Sequence, residues 1–261
     1  MHRCVRPVVF AARAASSCRW LVFAFTLLAT PAVAQDLVRA RALVFAAYNT
    51  SDPQPWRQGI DILTRAYETS KSRDALYELA LAEYGFIGWC LSSEDCPDLG
   101  ARLDRTQTYI ERLIALEPAA GRGPAMLGAL LAMRMGLNPA KAIYLGPRSS
   151  SLIAEALEKA PQDPATWVEM GNLRYHAPAI FGGSKTEAVR CFARAVALFD
   201  AQPALRRDNW LYLHSLAWLG QAYEATGQRA AALDTYRRAL AFAPNFSWVR
   251  DELLPALAAS R

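Results

Sequence analysis

The sequence contains few of the residues that catalysis or metal binding needs. It has three histidines in 261 residues, and only His176 and His214 lie beyond residue 34. The patterns G-x-S-x-G, G-x-x-x-x-G-K-[ST] and H-E-x-x-H, which mark hydrolases, phosphate-binding loops and zinc proteases, are absent. We therefore expect no enzyme activity, no cofactor and no metal site.

Acidic residues are absent from the first 34 residues, and this changes the meaning of the net charge. The whole chain carries a formal net charge of +5. Without the four arginines of this segment, Arg3, Arg6, Arg13 and Arg19, the net charge falls to +1. A nearly neutral chain lacks the basic surface that binding to nucleic-acid phosphates requires. We therefore expect no nucleic-acid partner.

Long hydrophobic runs are also missing, except for one near the start of the chain. Residues 20–28 are apolar but fall short of the roughly 20 residues that span a bilayer. Arginines precede this run, and Ala32-Val33-Ala34 follows it as an A-x-A cleavage site. These features predict a secretory signal peptide over residues 1–34, a mature protein that begins at Gln35 in the bacterial periplasm, and no membrane span after cleavage. Retention of the leader as an anchor is the alternative.

Only three cysteines remain beyond the leader. Cys90 and Cys96 bracket a short polar loop, which a disulfide can close in an oxidising compartment. A metal site is the alternative, but it needs more ligands than these two. Cys191 lies in a helical stretch beside Phe192 and is expected to be a buried free thiol.

Periodic apolar residues near the end of the chain predict two amphipathic helices joined by a tight turn. In the first helix, residues at three- and four-residue steps share one face: Leu216, Leu219, Gly220 and Tyr223. The second helix repeats this spacing with Ala232, Tyr236, Ala239 and Leu240. Gly227 lies between them, where the chain reversal favours a residue that tolerates positive φ, and Pro244 ends the second helix.

This pattern resembles a tetratricopeptide repeat (TPR), whose signature extends over a period of about 34 residues. A single repeat cannot bury both of its faces. Related pairs lie upstream at Met170-Gly171, Leu127-Gly128 and Leu79-Ala80. The resemblance implies an all-α, TPR-like solenoid of helical hairpins. We expect about four helix pairs over residues 73–246, with capping helices at residues 35–72 and 247–261.

The predicted pairs are longer than a standard repeat because residues are inserted between their helices. The insertions cover residues 85–99, 136–147 and 176–184, and stacking should place them on one edge. Each contains a large apolar side chain: Trp89, Tyr144 and Phe181. They either pack together to lengthen the edge or face a partner or ligand. The LNP…YLGP and P-x-x-FGG-x-K elements resemble exported bacterial TPR proteins and, more weakly, the T component of tripartite periplasmic uptake systems.

The TPR resemblance also implies a binding groove lined by the first helix of each pair. Carried onto this chain, it gives Tyr77, Tyr84, Asn172, Tyr175, His214, Gln221 and Glu224. Such a set suits a protein or peptide partner, because tyrosine combines a large contact area with a polar tip. The carboxylate clamp of the family is missing, since only Asn172 occupies a clamp-like position. The expected function is an exported protein–protein interaction scaffold. The alternative is a periplasmic small-ligand-binding accessory of a transport system, with the insertions roofing a pocket. The sequence leaves the oligomeric state open.

Overall fold

The computed structural model describes residues 31–93 and 96–259, so residues 1–30 of the predicted leader lie outside it. The described residues form eleven α-helices and no strand, which confirms the all-α prediction. The helices are α1 (Pro31–Thr50), α2 (Pro53–Ser70), α3 (Arg73–Leu91), α4 (Leu99–Leu116), α5 (Arg122–Leu137), α6 (Ala142–Lys159), α7 (Pro164–His176), α8 (Lys185–Ala201), α9 (Trp210–Ala225), α10 (Arg229–Phe242) and α11 (Leu254–Ala259). A π-helical turn, Trp248–Leu253, leads into α11.

Successive helices pack as hairpins, so that α1, α3, α5, α7 and α9 form an inner layer and α2, α4, α6, α8 and α10 form an outer layer. The two layers differ in how their apolar residues are arranged. Helix α4 buries only one stripe, at Leu103, Thr106, Ile110 and Leu113. Helix α9 buries consecutive residues, including Trp210, Leu211, Tyr212 and Leu213. A helix that is apolar on every side must be covered on every side, and this places α9 inside.

Small residues set the distance between the inner and outer helices. A Cβ atom added at Gly220 would lie 2.1 Å from the ring of Tyr236. At Gly171 it would lie 2.6 Å from the ring of Phe192. These separations are below any real carbon–carbon contact, so each glycine lets the aromatic ring of the outer helix rest against the inner backbone. Gly171 and Gly220, which belong to the repeat pattern, are therefore packing residues.

The inner helices close into a ring. Each contacts the next, and α1 contacts α9, the last of the layer. Tyr48 of α1 makes this closure: its hydroxyl lies 3.1 Å from Nδ1 of His214, and its ring packs on Trp210 and Phe246. Phe45 meets Phe242 edge-on beside it. The ends of the array thus contact each other directly.

The predicted cleavage site lies inside the first helix. Helix α1 begins at Pro31, whereas the predicted mature chain begins at Gln35. Val33 is buried, and the next buried residue of the helix is Leu37. Among the described residues, cleavage after Ala34 would therefore remove one core side chain, Val33, and would leave Leu37 and the later buried residues of α1 in place.

The second insertion is more regular than the sequence predicts. We expected a connection over residues 136–147, but residues 139–141 form a 3-10 turn and α6 begins at Ala142. Pro147 lies inside the helix. Pro147 is the sixth residue of α6, beyond the N–H groups that lack a partner at a helix start, so it removes one backbone hydrogen bond of the helix. The insertion thus lengthens α6 by more than a turn.

Candidate functional site

The middle of the inner face is filled by the protein's own side chains. Tyr84 of α3 is buried and donates a hydrogen bond to Oε2 of Glu169 on α7, at 2.9 Å. Nδ2 of Asn172 donates to the same oxygen at 2.9 Å. Burial raises the pKa of Glu169 to about 7, although both donors act in the opposite direction. Tyr84 and Asn172 were predicted to line a binding groove, but in the structure they stabilise a buried carboxyl group.

His214 is likewise part of the packed interior. Its imidazole contacts Tyr48, the edge of Trp210 and Trp218. Burial lowers the pKa of His214 to about 3, with a smaller contribution from His176. The ring is therefore neutral at physiological pH and supports the contact between α1 and α9.

The other predicted groove residues lie toward the C-terminal ends of α7 and α9. The ring of Tyr175 packs against Trp218, and Nζ of Lys185 lies 3.3 Å from the centroid of its ring. Glu224 accepts a hydrogen bond from the hydroxyl of Tyr236. Gln221 is half-buried on the same helix. These side chains are at most partly accessible, and Tyr77 lies away from them.

A cavity of about 290 Å³ remains at the N-terminal ends of the inner helices. We call it the funnel. Among the residues that line it are Arg41, Tyr77, Glu78, Leu81, Arg122, Asp163, Ala165, Ala204, Leu205, Arg207, Asp208 and Trp210. Ala204 and Arg207 are exposed, so the cavity opens to solvent beside them. Tyr77 is thus the one predicted groove residue that lines this cavity.

Two ion pairs form the walls of the funnel. Arg41 of α1 meets Glu78 of α3, with Nη2 2.7 Å from Oε1. Arg122 of α5 pairs with Asp163, and its guanidinium lies 5.0 Å from the ring centroid of Tyr77. Burial raises the pKa of both Tyr77 and Glu78. The hydroxyl of Tyr77 makes no hydrogen bond to any described residue, so it is available to a ligand.

The connection between α8 and α9, residues 202–209, covers one side of the funnel. Arg206 anchors it, with Nη1 3.5 Å from Oδ1 of Asp200. Arg207 and Asp208 line the cavity, and neither side chain has an ion pair or hydrogen bond within the described chain. Asp208 has φ +49, in the left-handed region that aspartate enters more readily than most residues. No insertion was predicted at this connection, although Gly171 and Gly220 lie 49 residues apart, well above the repeat period of about 34.

Exposed apolar side chains mark the opposite, C-terminal ends of the inner helices. We call residues 137–148 and 177–185 the insertion edge. There the exposed fraction is 77% for Ile143, 69% for Tyr144, 84% for Ile180 and 70% for Phe181. Trp89 of the first insertion instead stacks on Phe86, with ring centroids 5.3 Å apart. Tyr144 and Phe181 thus protrude, whereas Trp89 is half-buried.

The cysteines of the first insertion lie together. The sulfur atoms of Cys90 and Cys96 are 2.06 Å apart, a disulfide distance. Cys191 is buried among apolar residues, and burial raises the pKa of its thiol to about 11. Such a thiol is poorly reactive because little of it is ionised near neutral pH.

Other kinds of site find no support in the described part of the chain. No group of three histidine, cysteine or carboxylate side chains is placed there to bind a metal ion. Among the described helices, none combines the length and hydrophobicity needed to cross a bilayer.

Comparison with solved structures identifies the fold. TTC0263, a thermophilic TPR protein of Thermus thermophilus, matches 86% of this chain with 98% of its own, at 18% identity and a TM-score of 0.60. The chain has the TPR fold. YrrB, a TPR protein with an unusual peptide-binding site, matches 88% of this chain with 96% of its own at 15% identity, but its TM-score is 0.39. MamA matches 74% of this chain with 91% of its own at 13% identity and a TM-score of 0.37. Neither a protein-family model nor a curated protein sequence matches the chain significantly.

Proposed function

We propose that this chain is an exported TPR scaffold of the bacterial cell envelope that binds a protein partner through the funnel. The observation that carries the proposal is the funnel itself, a concave part of the inner face that the closed ring leaves open. Export is supported by the arginines, the apolar run and the A-x-A site of residues 1–34.

The lining of the funnel suits a segment of peptide. Leu81, Leu205 and Trp210 offer apolar contact, and the free hydroxyl of Tyr77 serves a backbone carbonyl or N–H group. Arg207 supplies an unpaired positive charge at the mouth. A volume of about 290 Å³ lies just below the roughly 300–1,000 Å³ typical of small-molecule pockets, so only a short segment of a partner enters.

The size of the funnel also favours a second candidate, a periplasmic small-ligand-binding accessory of a transport system. In that function Arg207 and Asp208 would contact a ligand that carries both charges. The insertions could not roof this site, because Tyr144 and Phe181 lie at the other ends of the inner helices. Residues 202–209 would cover it instead.

In-cell photocrosslinking distinguishes the two candidates. A photoreactive amino acid is placed at Ala204 beside the mouth, and at the exposed Ala241 of α10 as a control position. We expect a protein adduct at position 204 and none at 241. Arg207→Glu should weaken the adduct, whereas Arg65→Glu, the same charge change at an exposed arginine outside the funnel, should not. Absence of an adduct at position 204 would refute the scaffold proposal. A small molecule retained in native mass spectrometry would then support the second candidate.

A further inference from the structure

The apolar side chains of the insertion edge protrude from convex turns. Helices α5 and α7 pack side by side, so the turns that follow them lie on one edge of the ring. Ile143, Tyr144, Ile180 and Phe181 are each more than two-thirds exposed. None of these four residues lines the funnel or the smaller cavity beside Arg73 and Glu117. The insertion edge therefore presents protruding side chains. Protein partners usually bind to a complementary groove or a flat patch instead.

The charge of the insertion edge has one sign. No aspartate or glutamate occurs from Arg134 to Arg148 or from Arg174 to Lys185. Lys141 and Arg148 are exposed and form no ion pair within the described chain. Such a surface is complementary to an anionic one. The first insertion differs, because Glu94, Asp95 and Asp98 make its sequence acidic.

We propose that the insertion edge docks on the surface of a bilayer that contains anionic lipids. Protruding aliphatic and aromatic side chains enter the boundary between headgroups and acyl chains, and this boundary needs no preformed pocket. Lysine and arginine beside them gain attraction to anionic headgroups. Tyr144 fits such an interface because its ring is apolar and its hydroxyl is polar.

This docking goes beyond the proposed scaffold function and orients it. The funnel and the insertion edge lie at opposite ends of the inner helices, and a helix of 16 residues such as α5 is about 24 Å long. A protein docked by the insertion edge therefore holds the funnel away from the bilayer, open to a partner. A failure of partner binding would not contradict lipid docking. A failure of lipid docking would not contradict partner binding.

Vesicle co-sedimentation of the full chain tests the proposal. We expect binding to vesicles of phosphatidylcholine with phosphatidylglycerol and much weaker binding to phosphatidylcholine alone. Ile180→Ser with Phe181→Ser should weaken partitioning about tenfold or more, since two large apolar groups leave the interface. The matched control is Val38→Ser with Leu116→Ser, which removes similarly exposed apolar side chains, 60% and 57%, away from the insertion edge. Lys141→Glu with Arg148→Glu should abolish the preference for anionic lipid.

Radical footprinting locates the contact on the wild-type protein. The apolar run at residues 20–28 gives the full chain a second route to lipid, so protection is read residue by residue. Anionic vesicles should protect Tyr144 and Phe181 from oxidation and leave Phe242, which is also exposed, unchanged. Unprotected Tyr144 and Phe181, or equal sedimentation of the edge and control variants, would overturn the proposal. So would a dimer that dissociates in the edge variant without any vesicle binding, because a second copy would then cover the edge.

Discussion

The two ends of the inner helices belong to the same helical repeats but present different surfaces, a covered cavity at one end and exposed apolar side chains at the other. At the N-terminal ends, Arg41 and Arg122 are paired with carboxylates, and residues 202–209 cover a cavity. At the C-terminal ends, Ile180 and Phe181 stand exposed, and Lys141 and Arg148 form no ion pair within the described residues. Helix residues such as Arg41, Glu78 and Arg122 line the funnel, and the connections decide what covers or extends each end. The packed helical hairpins therefore determine the fold, and the connections between them determine which surfaces are free to bind.

Between the two ends lies a packed interior, and one of its side chains, Trp210, also lines the funnel. Tyr48 and Trp56 of the first hairpin and Trp210 of the last form a packed aromatic cluster. Gly85 makes room for it, because an added Cβ would lie 2.7 Å from both tryptophan rings. An open TPR groove would expose these aromatic side chains to water. Burying them therefore favours closure of the circle of inner helices.

The largest expected effect comes from removing a buried ring beside the first insertion. Phe86 is 1% exposed and packs between Trp56 and Trp89. Phe86→Ala should lower the free energy of unfolding by about 3–5 kcal/mol, because it removes apolar contacts and leaves a cavity. Urea unfolding followed by circular dichroism measures this. A loss below about 1 kcal/mol would show that the helices around Phe86 are loosely packed.

The next effect is a dependence of stability on pH that arises where the ring closes. The folded protein holds the pKa of His214 at about 3, below its ordinary value of 6.5, because the ring is buried. As pH falls through 6.5 the unfolded chain takes up a proton that the folded chain refuses, so stability falls. By about pH 4 the loss attributable to His214 should be about 3 kcal/mol. Urea unfolding of His214→Gln should show its stability, relative to the wild type, rising by this amount from about pH 7 to about pH 4.

Glu169 provides a control of opposite sign. Burial raises the pKa of Glu169 from 4.5 to about 7, so the folded state keeps a proton that the unfolded state loses as pH rises through this window. Glu169→Gln should therefore gain stability relative to the wild type between pH 4.5 and about pH 7. Identical pH profiles for the two variants would mean that neither group titrates as its burial predicts.

A smaller effect is expected from the cysteine pair. If Cys90 and Cys96 are bonded, their six-residue separation gives a stabilisation of about 2 kcal/mol, which reductant should remove. Unfolding curves with and without dithiothreitol measure the difference, and Cys96→Ser should make the reductant ineffective. Thiol titration of the denatured, unreduced mature protein should find one free cysteine, Cys191. Three free thiols would contradict the bond.

The sequence predicted the helices well because their signals are local. Gly171 and Gly220 stand one helical turn from apolar neighbours, and that spacing is visible without any structure. Closure of the ring was not predictable in this way, since Tyr48 and His214 are separated by 166 positions. The sequence therefore assigned the groove residues to the inner helices, but it did not predict which of them are accessible. Tyr84 is buried, and Tyr77 lines the funnel. The accessibility of these side chains depends on how strongly the whole stack of hairpins curves.

The smallest expected effect belongs to the matched phenylalanine on the insertion edge. Phe181 is 70% exposed, so Phe181→Ala leaves no cavity and should change the free energy of unfolding by less than about 0.5 kcal/mol. The same urea experiment as for Phe86→Ala makes the comparison direct, because the side chain removed is identical. A loss above about 1 kcal/mol would mean that Phe181 is covered in the isolated protein. An exposed ring whose removal leaves folding unchanged contributes nothing to the fold, and contact with a surface outside the chain is the role that its exposure favours.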